Sequence, residues 1–307
     1  LCLLLLLSAC SQSAAPTQVP AATNKPAETQ PLPPQTPTQT LEQSPTVEKP
    51  ADVKNALPPE PQIIKFKASD GTSLEGVYYP GATNPAPLVV MMHWVNGDMH
   101  DWNEVAVWLQ NRGVKNPFPN PGSFPWWNPT WFPKLTSDQS YGVFIFSFRG
   151  CKPMNEKGCA SWDIPGWVSD VQGAMLTAHS LEGVDTTRIV TIGSSIGADG
   201  AAIGCLNLNE QYPGSCAGAL SLSPGSYLVQ EYPDVIEKLG KLQPSVAAWC
   251  VADSNEVGMC KMAITDDNTL FQYFEIPNGD HGNMLLRPDL EPLPMQLILD
   301  FLAQTTK

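Results

Sequence analysis

Basic residues are scarce in this chain: Lys and Arg together number 17 against 30 Asp and Glu, for a formal charge of -13. No cluster of Lys and Arg is found that could neutralise a polyanion, which argues against nucleic acid as a partner. Apolar runs long enough to span a membrane are also missing; the amino-terminal LCLLLLL falls well short of the roughly 20 residues a spanning helix needs. Metal-site spacing is lacking too. There is no Cys-x-x-Cys pair, and the four His are scattered, so no metal is expected. Between Ser11 and about Pro61 there is no aromatic residue, only a polar mixture rich in Pro, Thr, Gln, Ala and Glu. Such a composition cannot bury enough apolar surface to offset the entropy of ordering it. Residues 10–61 are therefore expected to form a disordered tether, which as a flexible coil would span on the order of 40 Å.

What the chain does have begins with LCLLLLLSACSQ, an apolar run of export-signal length. Neither an initiator Met nor a basic leader precedes it, so residues 1–9 are expected to be a signal peptide shorn of its first few residues. Leu7-Ser8-Ala9-Cys10 resembles a bacterial lipobox. On that resemblance Cys10 is lipidated, and the protein is exported and anchored to the outer face of a bacterial membrane. The alternative is an ordinary secretory signal that ends near a Cys.

Of eight cysteines, six lie beyond the signal and anchor: Cys151, Cys159, Cys205, Cys216, Cys250 and Cys260. They fall as three sequence-adjacent couples. In an oxidising compartment the simplest of the fifteen connectivities joins each couple. The plainer alternative for Cys205 and Cys250 is a buried free thiol.

Strand and helix patterns alternate through residues 62–307. QIIKFK (62–67) and SLEGVYY (73–79) flank Asp70-Gly71 as an antiparallel hairpin. LVVMMH (88–93), VFIFSF (143–148), RIVTIG (188–193), GALSL (218–222), 245–251 and 270–276 read as further strands, several of them the continuous apolar runs of a sheet buried on both faces. Helical patterns occupy 101–109, 168–181, 198–208 and 294–302. This order calls for an α/β fold: a mostly parallel sheet with helices on both faces. In such a sheet reactive groups collect at the carboxyl ends of the strands.

One strand-to-helix junction there reads Gly193-Ser194-Ser195-Ile196-Gly197. Only Ser195 has glycines two residues to either side, the spacing that a sharply turned, exposed nucleophile requires. A serine hydroxyl needs a base to take its proton, and that base should follow later in the chain. His281, in the Gly-flanked loop PNGDHG after a strand, fits; His93 and His100 come too early, and His179 lies mid-helix. For the acid that orients the histidine, WCVADSNE offers Asp253 and Glu256. Asp253 is preferred because it lies immediately beyond the expected strand. The oxyanion donors are assigned to the backbone N–H groups of Ile196 and Trp94.

These segments together resemble the α/β-hydrolase superfamily, nearest to its dienelactone-hydrolase-like bacterial branch. The resemblance covers residues 63–302 and rests on DGTSLEGVYYP, MMHWVNGDMHDW, SFRG, IGSSIGADGA, LSPG and DHGNMLL. It implies an α/β-hydrolase fold with Ser195 as nucleophile, His281 as base, Asp253 as orienting acid and Trp94 with Ile196 as oxyanion donors, without a cofactor. Some dienelactone hydrolases use Cys where this chain has Ser195, so lactone specificity does not transfer. A second departure is the Pro- and Trp-rich insertion at about 113–137, NPFPNPGSFPWWNPTWFP at its centre, which is either a lid on the site or a flap packed on its own aromatics.

The resulting expectation is an extracytoplasmic serine hydrolase acting on a small or polymer-borne ester through an acyl-enzyme. Two alternatives stay open: a peptidase or acyltransferase on the same triad, and a catalytically inactive binding lipoprotein.

Overall fold

A computed structural model describes residues 55–119 and 124–307. The expected signal at 1–9, Cys10 and the expected tether up to residue 54 lie outside the described residues.

Eight strands form one sheet in the order β1-β2-β4-β3-β5-β6-β7-β8. β1 (Gln62–Lys67) and β2 (Ser73–Tyr79) pair antiparallel, and β2 meets β4 (Gly142–Phe146) antiparallel. The other neighbours, β3 (Ala86–Met92), β5 (Val184–Ser194), β6 (Cys216–Leu222), β7 (Ala247–Asp253) and β8 (Phe271–Ile276), run parallel. The continuous apolar runs follow from this. Every residue of β3, β4 and β7 is buried, because alternate side chains enter two separate cores. In β3, Leu88, Val90 and Met92 enter one and Val89 and Met91 the other.

The first core is covered by α2 (Ile164–Ser180), α3 (Ile196–Gln211) and α4 (Tyr232–Lys241), the second by α1 (Asn103–Gln110) and α6 (Pro294–Thr305). A fifth short helix in chain order, α5 (Gly258–Met262), follows β7. All three cysteine couples are disulfide-bonded, Cys151–Cys159, Cys205–Cys216 and Cys250–Cys260. Cys205 and Cys250 are thus not free thiols. Their loops of 8, 11 and 10 residues each remove about 2–3 kcal/mol of unfolded-chain entropy. Three disulfides suit an oxidising environment.

The expected tether boundary at residue 61 is corrected. The chain is already tied to the domain at Asn55: Asn84 donates to the Asn55 carbonyl (3.1 Å), Arg112 to that of Leu57 (2.7 Å) and Gln110 to that of Pro59 (2.7 Å). Alternate carbonyls of this stretch find side-chain donors, and Leu57 packs against the first core, so residues 55–61 belong to the domain although their composition reads as tether.

Candidate active site

Ser195 sits between β5 and α3 with φ 55° and ψ -117°, a conformation L-residues rarely adopt. The flanking glycines make the turn possible. A Cβ on Gly193 would lie 1.8 Å from the Gly197 carbonyl oxygen, and one on Gly197 2.3 Å from that of Met92. Neither contact can be relieved by a side-chain rotation. Gly193→Ala and Gly197→Ala are each expected to cost roughly 3 kcal/mol or more of stability, read as a lowered denaturation midpoint at unchanged m-value. The N–H of Ser195 donates to the Leu222 carbonyl at 2.8 Å, which fixes the turn to the end of β6. The neighbouring Ser194 is buried, and its hydroxyl makes no hydrogen bond to a described residue.

The loop after β8 brings His281 over this turn, with Nε2 2.8 Å from Ser195 Oγ. Its Nδ1 lies 2.9 and 3.0 Å from the two carboxylate oxygens of Glu256. Ser195, His281 and Glu256 thus form a continuous hydrogen-bonded array.

The preference for Asp253 is corrected by this geometry. β7 runs two residues further than expected, so Asp253 is still in the sheet, paired in register with Ile276. Its Oδ1 accepts from the backbone and side-chain N–H groups of Asn255 at 2.8 and 2.7 Å, not from His281. The carbonyl of Asp253 accepts the N–H of Glu256 at 2.9 Å. Asp253 therefore shapes the turn, and Glu256, three residues on and one methylene longer, reaches the imidazole.

The two expected oxyanion donors follow the carboxyl ends of neighbouring strands, β5 and β3. Ile196 is the first residue of α3, where a helical N–H has no intrahelical acceptor and the positive end of the helix dipole gathers. Trp94 follows β3. His93 secures it from below: fully buried, it accepts the Phe148 N–H at Nε2 (3.0 Å), which leaves Nδ1–H to donate to the Trp94 carbonyl (2.7 Å). Burial holds the His93 imidazole down to about 4, so it stays neutral in this role.

From above, the Trp94 indole N–H donates to Asp101 Oδ2 at 2.7 Å. Burial pushes the Asp101 carboxyl up to about 7 against the pull of that indole, with Asp98 raising it further and His100 opposing. The sign of its effect on stability follows from linkage. The folded state holds a proton on Asp101 that the unfolded chain releases near 3.8, so this group's contribution weakens as pH rises from about 4 to 7. Asp101→Asn, which keeps an oxygen for the indole, is expected to gain up to roughly 4 kcal/mol on the parent between pH 4 and pH 8. Urea denaturation at both pH values measures it.

Three further residues support the array, and the sequence reading named none of them. Ser223 Oγ accepts the N–H of Gly282, next to His281, at 3.0 Å. Tyr227 sets its ring edge-on to the imidazole, centroids 6.2 Å apart. Asp199, buried in the first turn of α3, accepts the backbone N–H groups of Gly225 and Tyr227 and so holds the loop that carries both. A carboxylate four residues after Ser195 in a helix of small residues was the available signal.

The described part of the insertion is a packed flap. Phe124 stacks on Trp126 at 4.7 Å, and Trp126 meets Trp94 edge-on at 5.9 Å. Trp108, on α1, rests against Phe132 and donates its indole N–H to the Pro133 carbonyl at 2.7 Å. Trp126 is fully buried. Residues 120–123 lie outside the described residues.

No family model matches the chain. Among curated proteins it is 26% identical over 183 residues to the uncharacterized protein YfhR of Escherichia coli, in strains K12 and O157:H7. That match takes in 55% of this chain and 54% of the relative, so the chain spans about half the length of the curated relatives it matches. Solved structures align far more extensively. A Pyrococcus furiosus esterase superposes with a TM-score of 0.54 at 15% identity, covering 81% of this chain and 94% of that one. The dienelactone hydrolase of Anabaena variabilis gives 0.52 at 13%, covering 80% and 99%. A dienelactone-hydrolase-like promiscuous phosphotriesterase from metagenomic libraries gives 0.52 at 12%, again covering 80% and 99%. Sheet order, the elbow between β5 and α3 and these superpositions lead to one conclusion: the chain has the α/β-hydrolase fold.

Proposed function

We propose that the protein is a serine hydrolase that cleaves an ester-type carbonyl through an acyl-enzyme. The observation that carries this reading is the 2.8 Å approach of His281 Nε2 to Ser195 Oγ, with Nδ1 held by Glu256. In the first half-reaction Ser195 Oγ attacks the carbonyl carbon while His281 takes its proton. The negative oxygen of the tetrahedral intermediate is stabilised by the N–H groups of Ile196 and Trp94. Collapse expels the alcohol, which receives the proton from His281 Nε2. Water then enters, loses a proton to His281 and releases the acid, restoring Ser195. Glu256 keeps Nδ1 protonated and stabilises the imidazolium formed in each half.

The solved structures that share the fold include an esterase and a dienelactone hydrolase, and this supports ester chemistry over amide cleavage. The signal-like amino terminus, the lipobox resemblance at Cys10 and three disulfides support action outside the cytoplasm on a membrane anchor.

A fluorophosphonate probe tests the reading. The purified protein is expected to be labelled on Ser195, located by peptide mass spectrometry, and to hydrolyse short p-nitrophenyl esters. A folded protein that neither labels nor hydrolyses would leave the site as a binding surface.

A further inference from the structure

The loop after β4 carries a feature that the triad does not explain. Four of the six bonded cysteines are sealed in the core: Cys205 and Cys250 at 0% exposure, Cys216 at 1% and Cys260 at 0%. Cys151 and Cys159 are partly exposed. Their disulfide closes a small two-armed loop whose arms are joined by Lys152 N–H to the Gly158 carbonyl (3.1 Å) and Ala160 N–H to the Gly150 carbonyl (3.3 Å). One arm starts from firm ground. Arg149 is bonded to Asp170 and Asp70, and its carbonyl accepts the Trp167 indole N–H at 3.2 Å.

The other arm lies on the segment that supplies the Trp94 N–H. Cys159 N–H donates to the Val95 carbonyl at 2.9 Å. Gly158, at φ 60°, is pressed so closely on this segment that a Cβ would lie 2.4 Å from Val95 O and 2.5 Å from the Asn96 carbonyl carbon. The residues between, Asn155 to Lys157, are solvent-exposed and have no such anchor.

We propose that the Cys151–Cys159 disulfide is a positioning element for the oxyanion loop, and that its reduction switches catalysis down. The proposal rests on the hydrolase reading above, because it acts through the Trp94 donor. The reductant is a dithiol. One thiolate attacks a cysteine sulfur to form a mixed disulfide, and the second displaces the remaining cysteine thiolate. The dithiol is oxidised to its cyclic or protein disulfide, and Cys151 and Cys159 end as two thiols. The arms are then held together only by the Lys152–Gly158 and Ala160–Gly150 backbone hydrogen bonds, the Cys159 arm gains freedom to move, and its grip on the Val95 carbonyl, which fixes the backbone beside Trp94, is weakened. Neither Ser195 nor His281 is touched, so the loss should fall on kcat rather than KM.

The test uses the full chain in three forms: oxidised, reduced under non-denaturing conditions with dithiothreitol, and Cys151→Ser/Cys159→Ser. Alkylation with mass spectrometry records which thiols have opened. Hydrolysis of a p-nitrophenyl ester is expressed per active site titrated with a fluorophosphonate, which separates slower turnover from loss of folded protein. The expected result is selective alkylation of Cys151 and Cys159 and a kcat per site lower by roughly tenfold. That is short of the 10²–10³ seen when a donor is removed outright. KM should stay within about twofold, and activity should return on reoxidation. Gly158→Ala in the oxidised protein should also lower kcat with the disulfide intact.

An unchanged kcat per site in the double Ser variant, or in protein alkylated at both cysteines, overturns the proposal. So does a fall only in the number of titratable sites, since that is a stability effect. If the oxidised parent itself neither labels nor turns over, the hydrolase reading has failed, which is a different outcome from an active enzyme indifferent to reduction.

Discussion

Replacing Ser195 by Ala is expected to lower kcat/KM towards an activated ester roughly a millionfold, and His281→Ala to do much the same. The double replacement should be scarcely worse than either. On the proposed mechanism Ser195 Oγ and His281 Nε2, 2.8 Å apart, act as one unit: without the base the hydroxyl is no nucleophile, and without the hydroxyl the base has nothing to activate. What survives is catalysis by the backbone donors alone, typically 10³–10⁴ over water. Initial rates for the three variants against the parent, with the denaturation midpoint of each as a check on folding, decide the matter. Two single losses that multiply in the double variant would mean that the residues act independently and that the array is not catalytic.

The second large effect separates two carboxylates three residues apart. Glu256→Gln preserves size but can present an N–H to His281 Nδ1 and favour the wrong tautomer, so kcat should fall by about 10⁴. Asp253→Asn leaves an oxygen able to accept from Asn255, as Oδ1 does now at 2.8 and 2.7 Å, and kcat should fall less than about tenfold. Steady-state kinetics on the two variants read this directly. The reverse order, with Asp253→Asn the crippling change, would mean that the loop rearranges in the working enzyme.

That contrast also shows where sequence reading reached its limit. Strands buried on both faces announce themselves as apolar runs, and the Gly193 to Gly197 spacing singles out one serine, so the fold and the Ser195–His281 approach were both legible. The acid was not, because the choice turned on where β7 stops. The strand expected to end at Val251 continues through Ala252 and Asp253; an Asp closing an apolar run gives no sign of that, and those two residues decide which carboxylate leaves the sheet. α5 spans five residues, too few for a periodicity to register. α4 is a different case: Tyr232, Val235, Ile236 and Leu239 follow helical spacing and are all buried, and that pattern was there to be read. The supports of the histidine loop were hidden for another reason. Ser223 and Asp199 accept backbone N–H groups from distant segments; the donors' side chains record no such contact, and the one trace in the sequence is the Asp199 carboxylate four residues after Ser195 in a helix of small residues.

The amino-terminal end of the described domain has a bearing on how the proposed hydrolase would face its surroundings. Asn55, Leu57 and Pro59 are held by Asn84, Arg112 and Gln110, and the last two also grip the carbonyl of Pro80. Pro80 follows Tyr79, which pairs with Val143 near the start of β4, whereas Ser195 follows the far end of β5. Residues 55–59 and Ser195 therefore occupy opposite poles of the sheet. A domain immobilised through its amino-terminal side, on a bead or on a lipid surface, would turn Ser195 and His281 towards the bulk medium, so that on the proposed function it would meet substrates arriving from solution ahead of those lying in the supporting surface.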